Sequence, residues 1–336
     1  MKKNKTSSSK NPSTKWISSK PILVIQLKLF VILFLISLGI FYSEYNQFFE
    51  PNHKNNHTLR KWDSYYSLAE RKIPIDVLLV GNSHLYTGIN PQNLSNSLGC
   101  NAFIIASPGT FVVDHYFAIK EAIGVHQPKL IVLETYGLRK CNPYHFNETG
   151  LSSQLKSFSA RRNIMLKALS TPYLFSVKDY PYAWLNTLRN HHFIYRYWGQ
   201  IQNNRKPKPK NNNSLYLGRY IRFQTGITDS ILQQYTSNGS PVRGDDYQTD
   251  DTQIRYTQKI INLCKENNIE LLFLTLPMYE SHITNYQEWK NRLGITLREY
   301  NTPVNWIDMQ EDSLYRHIGF DTSSFENTYK SNQHMT

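Results

Sequence analysis

Residues 76–91 read DVLLVGNSHLYTGINP: an unbroken apolar run, Val77 to Val80, that passes into Gly81-Asn82-Ser83-His84 and then into a second turn at Asn90-Pro91. A run this short, rich in Val and Leu and bounded by turn residues, has the texture of a strand buried on both faces of a parallel sheet. Four later stretches repeat it: NAFIIAS at 101–107, KLIVLETY at 129–136, ELLFLTLP at 270–277 and VNWIDM at 304–309. Helical patterns at 111–125, 249–267 and 283–300 lie between or before them. Strands alternating with helices predict crossover units in one sheet. The expected fold is therefore α/β, with a doubly wound, mainly parallel five-stranded sheet.

Two regions fall outside this rhythm. Residues 140–250 separate the third and fourth strands and carry helix-like segments at 154–169 and 181–199, followed by the polar, Pro-broken NNRKPKPKNNN at 203–213. A structureless loop of that length is improbable in a compact domain, so the region reads as a helical insertion. The Lys-Pro run suits a solvated loop tip better than an anion-docking surface, because Pro breaks any regular face.

The other region is the N-terminus. Residues 22–42, ILVIQLKLFVILFLISLGIFY, are apolar over the ~20 residues a helix needs to cross the hydrocarbon core. Lys28 lies near the entering end, where its stem can snorkel toward the headgroups. The six Lys of residues 1–20 hold that tail in the cytoplasm by the positive-inside rule. The expected layout is a cytoplasmic tail (1–21), a transmembrane helix (22–42), a juxtamembrane stalk (43–72, with a short helix around 63–72) and a domain (73–336) outside the cytoplasm, on the inner membrane. A cleaved signal peptide is the competing reading. The long apolar run and the absence of a small-residue cleavage pattern in SEYNQFFEPN favour an uncleaved anchor.

Composition excludes several classes. The net charge of +13 is unevenly placed, with seven Lys and no acid before residue 43, so the folded part carries only an ordinary excess of bases. A nucleic-acid binder would need its basic stripe on the fold, and no nucleic-acid partner is expected. Three Cys (Cys100, Cys141, Cys264) are too few for a disulfide framework or a Cys-rich zinc site. His115, His126, His145 and the pair His191-His192 show no metal-ligand spacing, and no strand is followed by a phosphate-binding Gly motif. No metal and no cofactor are expected. The aromatics at 173–198 suit a packed helical core more than a sugar-stacking platform.

The chemistry-bearing residues start where the first strand ends. In open α/β sheets ligands bind beyond the carboxyl ends of the strands. Ser83 there can present a hydroxyl, with backbone N–H groups of the following helix available to a developing oxyanion. Gly-Asn-Ser also describes an ordinary turn and helix N-cap, and local sequence alone puts that reading ahead. His84 fits a substrate contact or a local hydrogen bond equally well. The G-x-S-x-G elbow is absent, since Leu85 takes the second Gly position.

VLLVGNSHLYTGINP resembles the first conserved block of the SGNH (GDSL-like) hydrolase superfamily, whose serine is the nucleophile. Ala106-Ser107-Pro108-Gly109-Thr110 looks like the second block, whose Gly donates to the oxyanion hole. Trp306-Ile307-Asp308 leading to Asn332-Gln333-His334 is similar to the last block, whose His is the general base. The resemblance covers about 73–138 and 250–336. It implies a flavodoxin-like SGNH fold, Ser83 and His334 as catalytic pair, and Ser83 and Gly109 as oxyanion donors. Asn82, His84, Asn142 and Ser331 are implied as substrate-contacting or supporting residues.

Two positions depart from the family pattern. Ser331 stands where an acid would orient the imidazole, leaving Glu326, Asp321 or a backbone carbonyl as substitutes. The family's Gly-x-Asn after the third strand is replaced by Glu134-Thr135-Tyr136-Gly137, with Asn142 as a replacement. The chain also ends two residues after His334, which suggests a truncated reading frame. The resemblance implies an esterase or acyltransferase acting on O-acyl groups, O-acetyl foremost, of a cell-surface polysaccharide, beside a multispanning acyltransferase partner. The alternative is an inactive SGNH-fold protein that binds glycan or scaffolds a polysaccharide-assembly complex.

Overall fold

The structure, a computed structural model, describes residues 20–45, 57–138, 148–185, 217–218, 250–277, 286–299 and 305–311. It divides into two units, Met1–Phe49 and Glu50–Thr336.

The first unit contains helix α1 (Lys20–Tyr45). Its stretch Leu23–Tyr42 is long and apolar enough to cross a membrane. Leu23, Leu27, Phe30, Leu33 and Phe34 are all exposed, as lipid-facing side chains would be.

The second unit is an α/β domain. Strands β1 (Val77–Gly81), β2 (Ala102–Ala106), β3 (Leu130–Glu134), β4 (Glu270–Thr275) and β5 (Asn305–Asp308) form one sheet in the order β2-β1-β3-β4-β5. Every pairing is parallel. The strands coincide with the five apolar runs of the sequence to within two residues at each end. Alternation along each strand divides the apolar residues between two cores. Leu78, Val80, Phe103, Ile105, Ile131, Leu133 and Phe273 face the larger one. Val77, Leu79, Ala102, Ile104, Val132 and Leu274 face a smaller one, closed by Leu85 and Tyr86 of α3 (Ser83–Gly88) and by Leu94 of α4 (Pro91–Leu98).

The larger core holds a helix that the sequence assigned to a stalk. Residues 57–70 form α2 (His57–Glu70), longer than the expected turn of helix at 63–72, and its Lys61, Trp62, Tyr65 and Leu68 are buried at helical spacing. The Tyr65 ring meets Phe103 of β2 edge-on, and its hydroxyl donates to the Ala122 carbonyl (3.2 Å) of α5 (Val112–Val125). Helix α2 therefore belongs to the same compact unit as the sheet, Glu50–Thr336, although the sequence places it in the stalk.

The insertion is mainly helical where it is described, apart from short connections and Leu217, whose carbonyl accepts the Ile104 amide of β2 (2.9 Å). The segment read as one helix at 154–169 is two: α6 (Glu148–Ala160) and α7 (Ile164–Leu174). Asn163 caps α7, its side chain accepting from the Leu166 amide (3.0 Å), and the buried Glu121 carboxylate takes the amides of Arg162 and Asn163. Two turns of helix follow, at Val177–Asp179 and in α8 (Tyr180–Trp184). Residues 186–199, the rest of the expected second segment, lie outside the described residues. Helices α9 (Asp251–Glu266) and α10 (Tyr286–Glu299) complete the fold. Asp250 and Gln253 form a capping box at the start of α9.

Candidate functional site

Because all five strands are parallel, the segments that follow them emerge on one edge of the sheet. β1 lies between β2 and β3, so the turns at Asn82-Ser83, Ser107–Thr110 and Thr135–Leu138 are neighbours there. The register places Gly81 beside Ala106.

Ser83 is the first residue of α3 and is half-buried. Asn82 precedes it as the N-cap, and its side chain accepts from the His84 amide (3.1 Å). The N-cap reading of Gly-Asn-Ser is thus correct for Asn82, and it leaves the Ser83 hydroxyl out of the cap.

A buried carboxylate organises this turn. Glu134, at the end of β3, accepts the Asn82 amide on Oε2 (3.3 Å) and the Tyr136 amide on Oε1 (2.9 Å). His84 Nδ1 stands 3.9 Å from Glu134 Oε1, with both side chains buried, and the His84 ring meets Tyr136 edge-on. Gly81 makes the approach sterically feasible: a Cβ there would lie 2.6 Å from the Glu134 Cβ. Glu134 therefore ties the turn after β1 to the turn after β3.

The turn after β2 is fixed just as firmly. Gly109 has φ 66°, the left-handed conformation that a side chain disfavours. The Ser107 amide donates to the Gly81 carbonyl (3.3 Å), and the Thr110 hydroxyl lies within hydrogen-bond reach of the Gly81 and Ser107 carbonyls (3.2 and 2.8 Å). With the Thr110 proton so used, His115 Nε2 (3.2 Å away) is the donor to Thr110 Oγ1. Burial pushes His115 down to about 4, so the ring is neutral near pH 7. From the other side, Lys61 Nζ of α2 donates to Ser107 Oγ (3.3 Å). Lys61 is fully buried, and burial pulls its ammonium down to about 7.

Behind the turn lies a cavity of about 20 Å³ lined by Gly81, Ser107, Thr110, Asp114, His115 and Arg161, among others. That is room for water and not for a substrate. Burial raises Asp114 in its wall to about 6, even though Gln154 and the Phe111 amide hydrogen-bond it.

Of the residues singled out by sequence, Asn82, Ser83, His84 and Gly109 meet at this edge. Asn142, Ser331 and His334 lie outside the described residues, as do Asp321 and Glu326. Sequence reasoning did not assign roles to Lys61, Ser107, Thr110, His115 and Glu134. Glu134 did carry a signal, being a charge at the end of an otherwise apolar strand. Among the described residues, no group of three or more His, Cys, Asp or Glu is placed to hold a metal ion. No family model matches the chain, and no curated protein is similar to it.

Proposed function

We propose that the domain is a serine esterase or O-acyltransferase of the SGNH type, with a doubly wound, flavodoxin-like sheet. Its substrates are O-acyl groups, O-acetyl foremost, on a cell-surface polysaccharide. The observation that carries this reading is that the half-buried Ser83 and the left-handed Gly109 lie in turns at the carboxyl ends of adjacent strands. In such sheets this edge, beside the central strands, is where ligands bind.

In the proposed reaction, Ser83 Oγ attacks the acyl carbonyl carbon as its proton passes to the His334 imidazole. The amides of Ser83 and Gly109 take the charge that develops on the carbonyl oxygen. Collapse breaks the bond to the sugar oxygen, which leaves with the proton from the imidazolium. Water, or the hydroxyl of a second sugar, then attacks the acyl-serine and regenerates Ser83. Transfer in place of hydrolysis fits a protein working beside a multispanning acyltransferase. Anchored through α1 with its Lys-rich tail in the cytoplasm, the domain faces the polysaccharide outside.

The test is labelling of the detergent-solubilised full chain with a fluorophosphonate. Labelling that disappears in Ser83→Ala supports the reading. A folded chain that does not label at Ser83 overturns it, and leaves an inactive SGNH-fold glycan-binding or scaffolding protein. Ser331, standing where an acid is expected, speaks for that second reading.

A further inference from the structure

Lys61 is the only buried lysine among the described residues, and no carboxylate among them pairs with it. Packing does not call for an amine there. A desolvated ammonium is costly, and an apolar side chain of similar length would fill the same space. The proposed reaction gives Lys61 no task either.

Its place on α2 brings it to the edge of the sheet. Tyr65, one turn further along α2, packs on Phe103 of β2, while Lys61 reaches Ser107, four residues beyond Phe103. One helical turn advances about 6 Å and four strand residues about 13 Å, so a long side chain makes up the difference. There Nζ has two partners on different elements. It donates to Ser107 Oγ (3.3 Å), two residues before Gly109. It also stands 5.9 Å from the centroid of the Tyr86 ring, within cation–π range. Tyr86 lies three residues after Ser83 in α3 and packs in the smaller core, whereas Trp62 and Tyr65 of α2 pack in the larger. The Ser107 amide and the Thr110 hydroxyl already tie this turn to Gly81, ahead of Ser83. Lys61 adds a second tie, to the helix that Ser83 begins.

We infer that Lys61 is a positioning residue: by holding Ser107 Oγ and the Tyr86 ring together, it fixes where the Gly109 amide stands relative to the Ser83 hydroxyl. Its effect on the rate rests on the esterase reading, and its effect on the turn does not. An oxyanion donor counts only where it is held at the developing charge. A turn displaced but not lost should therefore cost about tenfold in rate, less than the roughly 10²–10³ that follows outright loss of a donor.

The experiment follows Gly109 itself, by NMR of the full chain in detergent micelles. Pro108-Gly109 is the only Pro-Gly pair in the sequence. Labelling with ¹³C′-proline and ¹⁵N-glycine on a deuterated background therefore gives one carbonyl-coupled amide signal, that of Gly109. Lys61→Met keeps the side-chain length and removes the amine. Trp62→Phe, at its buried neighbour on α2, controls for loosened packing, and circular dichroism verifies the fold of each variant. The Gly109 signal is expected to move by more than its line width in Lys61→Met and to stay in place in Trp62→Phe. Fluorophosphonate labelling at Ser83 is expected to slow in Lys61→Met and in Ser107→Ala, which removes the same contact from the other side. The double variant should label no more slowly than the slower single one. An unmoved signal in Lys61→Met, an equal shift in Trp62→Phe, labelling of Lys61→Met at the wild-type rate, or additive losses in the double variant would each overturn the inference. A wild type that does not label at Ser83 overturns the esterase reading instead, and the Gly109 signal still decides whether Lys61 positions the turn.

Discussion

Lys61 Nζ donates to Ser107 Oγ across 3.3 Å in a fully buried setting, and no carboxylate among the described residues pairs with it there. A lysine in such a place is a burden on the fold, since Lys is almost never fully buried unless paired. It also touches the turn that carries Gly109.

Lys61→Met should therefore stabilise the protein, by about 1–4 kcal/mol by analogy with other buried charges replaced by apolar groups. The pH dependence has a definite sign. The folded-state value, about 7, lies below the ordinary 10.5, so the unfolded chain binds more protons between those limits. Stability contributed at this site is lowest below pH 7 and rises as pH climbs toward 10.5. Urea unfolding at pH 6.5 and pH 8.5 should show that rise in the wild type and a flatter response in Lys61→Met. If Lys61 also positions the Ser107–Thr110 turn, the more stable variant should label more slowly at Ser83.

Asp114 and His115 are adjacent, the first half-buried and the second buried, and shifted in opposite senses. His115, lowered to about 4, makes stability fall as pH drops from 6.5 toward 4. Asp114, raised to about 6, makes stability grow as pH drops from 6 toward 3.8. The two oppose each other over most of the same window. Asp114→Asn should remove the compensation and steepen the acid limb of a stability–pH curve, measured by thermal unfolding between pH 4 and 6.5. An unchanged limb would show that the two shifts do not offset.

Glu134 accepts two backbone amides from two different turns. Glu134→Leu should orphan both, at about 1–3 kcal/mol for each buried donor left unsatisfied. Glu134→Gln keeps one acceptor oxygen and should cost roughly half as much. Chemical denaturation of the two variants checks the ranking. Equal losses would mean that the side chain contributes packing alone.

Gly81 is held to its identity by space. Gly81→Ala should drive a methyl group against Glu134 and Leu85, at about 1–3 kcal/mol, the usual cost of overpacking. A urea midpoint equal to the wild type's would contradict the close approach described for these residues.

The sheet was legible because a strand buried on both faces must be apolar throughout, and the runs at Val77–Gly81 and Ala102–Ala106 leave little freedom in placing their ends. Ser83 was legible from its place after the first strand, whereas Gly109 was singled out only by the family resemblance; parallel strands deliver both turns to one edge. Helix α2 was not. Its inward stripe is interrupted by Lys61, which any pattern-based reading assigns to solvent, and it follows directly on a polar stretch. Glu134 was noticed only as a departure, because the hydrogen bonds that give it a role come from residues more than fifty positions away or from a tight local turn. The break between α6 and α7 had a visible cue in Asn163 before Ile164-Met165-Leu166, a cap ahead of an apolar run.

The burial of α2 has a practical consequence for anyone separating the domain from α1. A fragment started at Ile73 would lose Trp62 and Tyr65, strip one side of Phe103 and Ala122 bare, and remove the only amine touching Ser107 among the described residues. Such a preparation would be expected to aggregate for reasons unrelated to its chemistry. Cloning from Glu50 keeps the helix and discards residues 1–49, the basic tail and the apolar α1.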